Sequence, residues 1–188
     1  MEKRCYRCRV ERGITLVETL VAVTILVVLL MVAVPAYKST IEGNRRATYA
    51  NQLLEDLTLA RSEAIKRNRQ VVVCPSSTGT DCAAGTSNDW TSGWMIYVPT
   101  AGSGGFTGGD TILRAHPPLI LPPGWAAVDN ISVGTHFASF RPTGMVQTNF
   151  RICIMPSSIA CSDAGVASAT TYSNLVVSSI GRLRLESQ

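Results

Sequence analysis

The feature that most constrains this chain is the apolar run ITLVETLVAVTILVVLLMVAV, from Ile14 to Val34. As a helix, this run would span about 31 Å, which is enough to cross the hydrocarbon core of a membrane. A basic flank precedes it, formed by Lys3, Arg4, Arg7, Arg9 and Arg12. Basic flanks stay in the cytoplasm, so the residues after Pro35 are predicted to lie on the far side of the inner membrane.

One acidic residue, Glu18, lies inside the apolar run. A carboxylate within a membrane helix costs about 2.5–3.5 kcal/mol and marks a function or a specific partner. The alternative is a secretory signal cleaved at Val34-Pro35-Ala36, which would release a secreted protein such as an enzyme. The run is longer than the apolar region of such a signal, which is about 7–15 residues, and it contains an acid.

The segment Gly13-Ile14-Thr15-Leu16-Val17-Glu18 resembles the prepilin signature. The resemblance implies that prepilin peptidase cuts after Gly13 and that Ile14 becomes an N-methylated mature terminus. It also implies that the new amine pairs with Glu18 of a neighbouring subunit, so the buried charge gains a partner on assembly. Most family members carry Phe at the new terminus, and Ile14 departs from this.

Apolar residues recur every three or four positions after Pro35, at Tyr49, Leu53, Leu57, Ala60 and Ala64. This period predicts one long helix to about Asn68. Its predicted polar face carries Arg46, Glu55, Asp56, Arg61, Glu63 and Lys66. We divide the chain into a cytoplasmic leader, a transmembrane assembly helix, an amphipathic continuation of that helix and an extracytoplasmic β-rich domain, at residues 1–13, 14–36, 37–68 and 69–188.

Short β-like runs separated by Gly and Pro follow the helix. They are Gln70–Cys74, Gly93–Val98, Thr111–Ala115, Phe137–Arg141, Phe150–Met155 and Asn174–Ile180. A helix followed by many short strands predicts an α+β fold, in which the long N-terminal helix packs on one antiparallel sheet or two.

The cysteines of the polar region form two pairs of identical spacing, Cys74 with Cys82 and Cys153 with Cys161. They predict disulfides outside the cytosol. Four cysteines allow three connectivities; equal spacing favours a bond within each pair, worth about 2.5 kcal/mol by loop entropy, and the crossed pairings stay open. Cys5 and Cys8 form a CxxC in the removable leader, which we interpret as incidental.

Several further segments resemble the GspH/FimT family of minor pilins and pseudopilins. They are LARSEAIKRNRQVVVCPS from Leu59, DWTSGWMIYV from Asp89, TILR from Thr111, FRPTG from Phe140 and SSIGRLR from Ser178. The resemblance implies a type IV pilin-like fold and a minor pilin that initiates or caps a type IV pilus. A pseudopilin of a type II secretion system is the alternative. The implied partners are other pilins, prepilin peptidase and the inner membrane.

The sequence contains no recognisable catalytic pattern. His116 and His136 lie in no metalloprotease or nucleophile motif, and the serines have no identifiable base. The glycine-rich stretch Gly102–Gly109 lacks the Lys-Ser/Thr of a phosphate-binding loop. We therefore predict a protein that is not an enzyme and has no cofactor or metal site.

The C-terminal sequence Gly181-Arg182-Leu183-Arg184 is a candidate binding site. In an extended segment Arg182 and Arg184 face the same way, about 6.6 Å apart, and could hold successive phosphates. The GRxR ending resembles that of DNA-binding FimT-type minor pilins, which suggests double-stranded DNA as a partner. The alternative is that both arginines decorate a solvated edge strand. Without its leader the chain has twelve cations and eleven anions, so its overall field is weak.

Overall fold

The computed structural model describes residues 13–82, 88–100, 106–131, 136–161 and 172–187. Within them the chain forms helix α1 (Leu16–Arg67) and the strands β1 (Val71–Pro75), β2 (Trp94–Val98), β3 (Thr111–His116), β4 (Trp125–Asp129), β5 (Ala138–Phe140), β6 (Phe150–Pro156), β7 (Ser173–Val177) and β8 (Leu183–Ser187). One long helix and antiparallel sheets confirm the predicted α+β fold.

The chain divides after Ile41 into two units, Met1–Ile41 and Glu42–Gln188. In the first unit, α1 begins at Leu16, and the Thr15 hydroxyl accepts the backbone amide of Glu18 at 3.3 Å. This contact satisfies one of the free amides of the first helical turn. The helix assignment continues through Pro35.

In the second unit, α1 ends at Arg67 because Asn68 adopts a left-handed conformation, with φ of 48°. The last helical turns present a buried stripe of Ala50, Leu53, Leu57, Ala60 and Ala64. This stripe belongs to one apolar core that also contains the inner faces of both sheets. Three of its members are alanines, and small side chains let the helix approach the sheets closely.

The strands form two four-stranded sheets, with the orders β3-β2-β1-β5 and β4-β6-β7-β8. All neighbouring strands are antiparallel. Two edge strands, β4 and β8, were absent from the strands predicted from sequence, and the run predicted to reach Ile180 ends at Val177. The residues after Val177 form a turn, which reverses the chain into β8.

Each disulfide covers the outer face of one sheet. Cys74 in β1 is bonded to Cys82, beside the outer-face cluster of Val72, Met95 and Tyr97. Cys153 in β6 is bonded to Cys161, and this pair packs with Met155, Ile159 and Tyr172. The bonds therefore join residues eight apart, within each pair and not across pairs. Each closes a short loop over apolar residues that would otherwise face water.

Asp56 connects the helix to the first sheet. The sequence pattern placed it on the polar face of α1, and this prediction is wrong because Asp56 is buried. Trp94 Nε1 donates to Asp56 Oδ2 at 2.8 Å, and Arg114 Nη1 donates to Oδ1 at 2.6 Å. The ring of His116 stacks on Trp94, with the ring centroids 4.0 Å apart. A buried carboxylate is tolerated here because both of its oxygens are satisfied.

We predict that Asp56→Ala lowers the free energy of unfolding of a fragment beginning at Tyr37 by about 3 kcal/mol, because a buried indole donor and a guanidinium lose their acceptor. Urea unfolding measures this loss. The matched control is Glu55→Ala, because Glu55 is 71% exposed and contacts the same Arg114 nitrogen at 3.3 Å. This substitution should lower the free energy of unfolding by less than about 1 kcal/mol. Equal losses for the two variants would contradict the assignment.

Candidate functional site

The residues of the predicted processing site lie at the start of the described chain. Gly13 and Ile14 precede α1, and Ile14 is 75% exposed. Glu18 lies in the first helical turn, where the helix dipole favours a negative charge. Among the described residues, no side chain pairs with the Glu18 carboxylate.

The helical residues around Glu18 are exposed as well. From residue 14 to residue 34 the large apolar side chains are 45–79% exposed. By length and composition, this part of α1 is able to span a membrane. Burial of such a surface requires lipid or other protein subunits, because the first unit itself does not cover it.

Two tight turns in the second unit meet beside α1. One comprises residues 141–144 and the other residues 178–181; together we call them the double-glycine turn. Each closes by a 2.8 Å hydrogen bond from its final glycine amide to the carbonyl of its first residue, and Val146 N donates to Ser179 O at 3.0 Å. The bond from Val146, two residues after the first turn, therefore holds the two turns together.

Only glycine fits at the centre of this contact. Gly144 and Gly181 have φ of 76° and 75°, which other residues adopt at a cost. A Cβ at Gly181 would lie 2.0 Å from Gly144 O and 3.0 Å from Arg61 Nε. A Cβ at Gly144 would lie 2.9 Å from Ile65 Cδ1. The glycine of the GRxR sequence thus allows two turns and the helix to approach one another.

The arginines of the GRxR sequence are exposed, whereas Leu183 and Leu185 are half-buried against the core. Arg184 forms an ion pair with Glu186, two residues further along β8. Glu186 therefore competes with any phosphate for Arg184, which leaves Arg182 as the arginine of this sequence that has no acidic partner among the described residues. DNA binding stays a hypothesis that this geometry does not strengthen.

Comparison with known proteins decides the family. The family model described as "Type II transport protein GspH" matches residues 49–181, which is more than half of the chain. The chain belongs to the GspH family. The model of the prokaryotic N-terminal methylation motif matches residues 8–34. Members of this family are minor pilins or pseudopilins, which assemble with other pilins, so the chain is a structural subunit of this class.

Solved structures of this fold include the type IV minor pilin FimU of Pseudomonas aeruginosa. FimU in one crystal form is 22% identical to this chain and superposes with a TM-score of 0.55. This match covers 77% of this chain and 90% of FimU. The other crystal form gives 22% identity, a TM-score of 0.51 and coverages of 74% and 91%. The minor pseudopilin EpsH of Vibrio cholerae is 15% identical, with a TM-score of 0.49 and coverages of 76% and 97%. No curated protein sequence matches this chain.

The two histidines of this GspH-family chain have structural contacts. His116 stacks on Trp94, and His136 Nδ1 lies 2.9 Å from Asp129 Oδ1 in a buried contact. Trp90 Nε1 donates to the other oxygen of Asp129 at 2.7 Å. Within the described ranges, no three His, Cys, Asp or Glu residues are placed to hold a metal ion.

The double-glycine turn was not predicted as a unit. Its parts lie in the segments that resemble the family, FRPTG and SSIGRLR, and Arg61 lies in the helical segment LARSEAIKR. Periodicity cannot show that these segments meet, because they are separated by long stretches of sequence. The sequence did offer a signal for each turn separately, because a glycine in a short polar segment indicates a turn.

We predict that Gly181→Ala destabilises the fragment beginning at Tyr37 by at least about 3 kcal/mol. The left-handed conformation alone costs about 1–2 kcal/mol, and the added methyl group would collide with the carbonyl of Gly144. Gly124→Ala is the matched control, because Gly124 has φ of 79° with nothing within 4 Å of a Cβ, and should cost about 1 kcal/mol. Thermal or urea unfolding compares the two; similar losses would show that close packing at Gly181 is unimportant.

Proposed function

We propose that the chain is a minor pilin that takes part in the assembly of a type IV pilus. The observation that carries the proposal is the carboxylate of Glu18, which lies in an otherwise apolar, exposed helical segment and has no partner among the described residues. A carboxylate in lipid is costly and normally has a specific partner. In a filament, that partner can come from the next subunit.

The proposed partner is the amine that processing creates. Cleavage by prepilin peptidase after Gly13 would make Ile14 the first residue, and the methylation motif that spans residues 8–34 supports this processing. The amine of one subunit and Glu18 of its neighbour would each be unfavourable in lipid and would satisfy each other on contact. Because the charges lie near one end of the helix, their pairing would fix the axial register of adjacent subunits.

The proposed location follows from the same segment. Residues 14–36 would anchor the precursor in the inner membrane, residues 37–68 would continue the helix, and residues 69–188 would lie outside the cytoplasm. The two disulfides support this placement, because such bonds persist in oxidising compartments. After cleavage the subunit would leave the membrane as its apolar helix packs against those of other pilins.

We predict that the mature protein begins at N-methylated Ile14, which mass spectrometry of material from its native host measures.

We also predict that Glu18→Ala leaves the protein in the membrane and lowers its incorporation into filaments at least about tenfold, since a broken buried pair costs about 3–5 kcal/mol. Glu42→Ala is the control, because Glu42 is an exposed acid of the same helix. Quantitative immunoblots of sheared filaments and membranes compare the variants.

Two results would contradict this account. A mature terminus after Ala36 would show a conventional signal peptide and remove the membrane helix from the finished protein. Normal incorporation of the Glu18→Ala variant, with a correct Ile14 terminus, would show that the filament does not need the proposed charge pair.

A pseudopilin of a type II secretion system is the second candidate, because the matching family model is described as a type II transport protein. We favour the pilus because of the two disulfides and because the GRxR ending resembles that of FimT-type minor pilins. We predict that deleting the gene reduces surface pili, counted by electron microscopy, and leaves the secretion of extracellular enzymes unchanged. Loss of secretion with a normal number of pili would reverse the assignment.

A further inference from the structure

Three exposed apolar residues lie in or beside the double-glycine turn. Ile65 is 51% exposed, Met145 is 48% exposed and Ile180 is 61% exposed. Ile65 reaches to within 2.9 Å of the Cβ position of Gly144, and Met145 follows Gly144 in the chain. Ile180 precedes Gly181, whose Cβ position lies 2.0 Å from Gly144 O. The three residues therefore lie at or next to the contact between the two turns and the helix, and we call them the turn patch.

The backbone beneath the turn patch is held by several hydrogen bonds. Val146 N donates to Ser179 O at 3.0 Å, which ties the two turns together. Ser178 N donates to Arg182 O at 3.0 Å, and the Ser178 hydroxyl accepts Arg182 N at 3.2 Å. A backbone fixed in this way presents its apolar side chains without the ordering cost that weakens binding by mobile loops.

The turn patch is bordered by positive charge. Arg141 and Arg182 are exposed, and the segments 140–146 and 178–184 contain no carboxylate. Arg61 Nε is buried between the turns without a hydrogen-bond partner among the described residues. The nearest acid along the helix, Glu63, is already engaged by Lys66 and Arg67. Exposed apolar groups bordered by cations match a protein surface whose apolar side chains lie beside carboxylates.

We propose that the turn patch docks a neighbouring pilin-like subunit through an apolar side chain flanked by an acid. This inference rests on the proposed function, because it assumes that the chain is a filament subunit. Self-association patch to patch would bring Arg141 and Arg182 of two copies together, which disfavours a symmetric dimer. A contact between unlike surfaces, in contrast, propagates into a helical assembly.

Nucleic acid is the less suitable occupant of this surface. Phosphate contacts use cations and gain nothing from Ile65, Met145 and Ile180, whereas burial of apolar area is the main favourable term in protein association. Arg184, the second cation of the GRxR sequence, is paired with Glu186. The apolar component of the patch therefore favours a protein partner.

The test is photo-cross-linking of the full chain in its native cells, with the photoreactive residue in place of Ile180. The expected product joins this chain to a second protein that carries its own prepilin signature, identified by mass spectrometry of the joined peptides. A photoreactive residue in place of Val27, in the apolar helix, is the positive control for filament assembly. One in place of Thr78, which is exposed on a different loop, is the control for non-specific capture.

The charged border is tested in the same cells. Arg182→Glu should lower the yield of the Ile180 product about tenfold, since opposing like charges cost on the order of 1.4 kcal/mol here. Arg182→Lys keeps the charge and should retain most of the product. The Val27 product should be unchanged in both variants, which shows that processing and membrane packing are intact.

The outcomes separate the two proposals. If the Val27 position gives a product and the Ile180 position gives none, the docking proposal for the turn patch is overturned and the proposed function is not. The docking proposal is also overturned if Ile180 is joined to nucleic acid, to an unrelated protein or to the turn patch of a second copy. An Ile180 yield no higher than that of the Thr78 control also overturns it. Absence of both products overturns the proposed function and the turn patch together.

Discussion

The amino-terminal part of α1 is a surface that a single subunit cannot satisfy. Its large apolar side chains are exposed from Leu16 to Val34, and its one carboxylate, Glu18, has no partner among the described residues. Lipid would cover the apolar side chains but not the charge, so a membrane-bound subunit would be left with one unfavourable group. In the proposed filament the amine of the neighbouring subunit would satisfy this group, and its position would decide where assembly is favoured.

In the carboxyl-terminal part of the same helix, by contrast, the buried stripe finds its partners within the chain. Three alanines and two leucines of its buried stripe join one core with both sheets, and Asp56 binds across to Trp94 and Arg114. The outer faces of the sheets are covered by the disulfide loops. Among the described residues, the second unit therefore buries its core and the outer-face clusters of both sheets with its own side chains.

Periodicity predicted the helix and the strands with runs of β-branched residues, because these patterns arise from local burial. It failed for β4, since the sequence WAAVD has two alanines and follows Pro122-Pro123-Gly124. It placed Asp56 on the wrong face because a charged residue is usually solvated. The ion pair of Arg184 with Glu186 follows from their spacing in an extended strand. The meeting of Gly144, Gly181 and Arg61 does not follow from any local pattern, because it depends on how distant segments pack.

The GRxR sequence has two separable physical roles in this fold. Gly181 is required by a positive φ and by the approach of Gly144 O, so this position would be glycine whether or not the chain bound an anion. The arginines follow it because residues beyond the turn alternate between the core and solvent, with Leu183 and Leu185 inward. A glycine-arginine ending in a GspH-family chain is therefore evidence for this turn rather than for a bound anion. Evidence for a ligand has to come from what surrounds the arginines, which here is an acid beside Arg184 and apolar side chains beside Arg182.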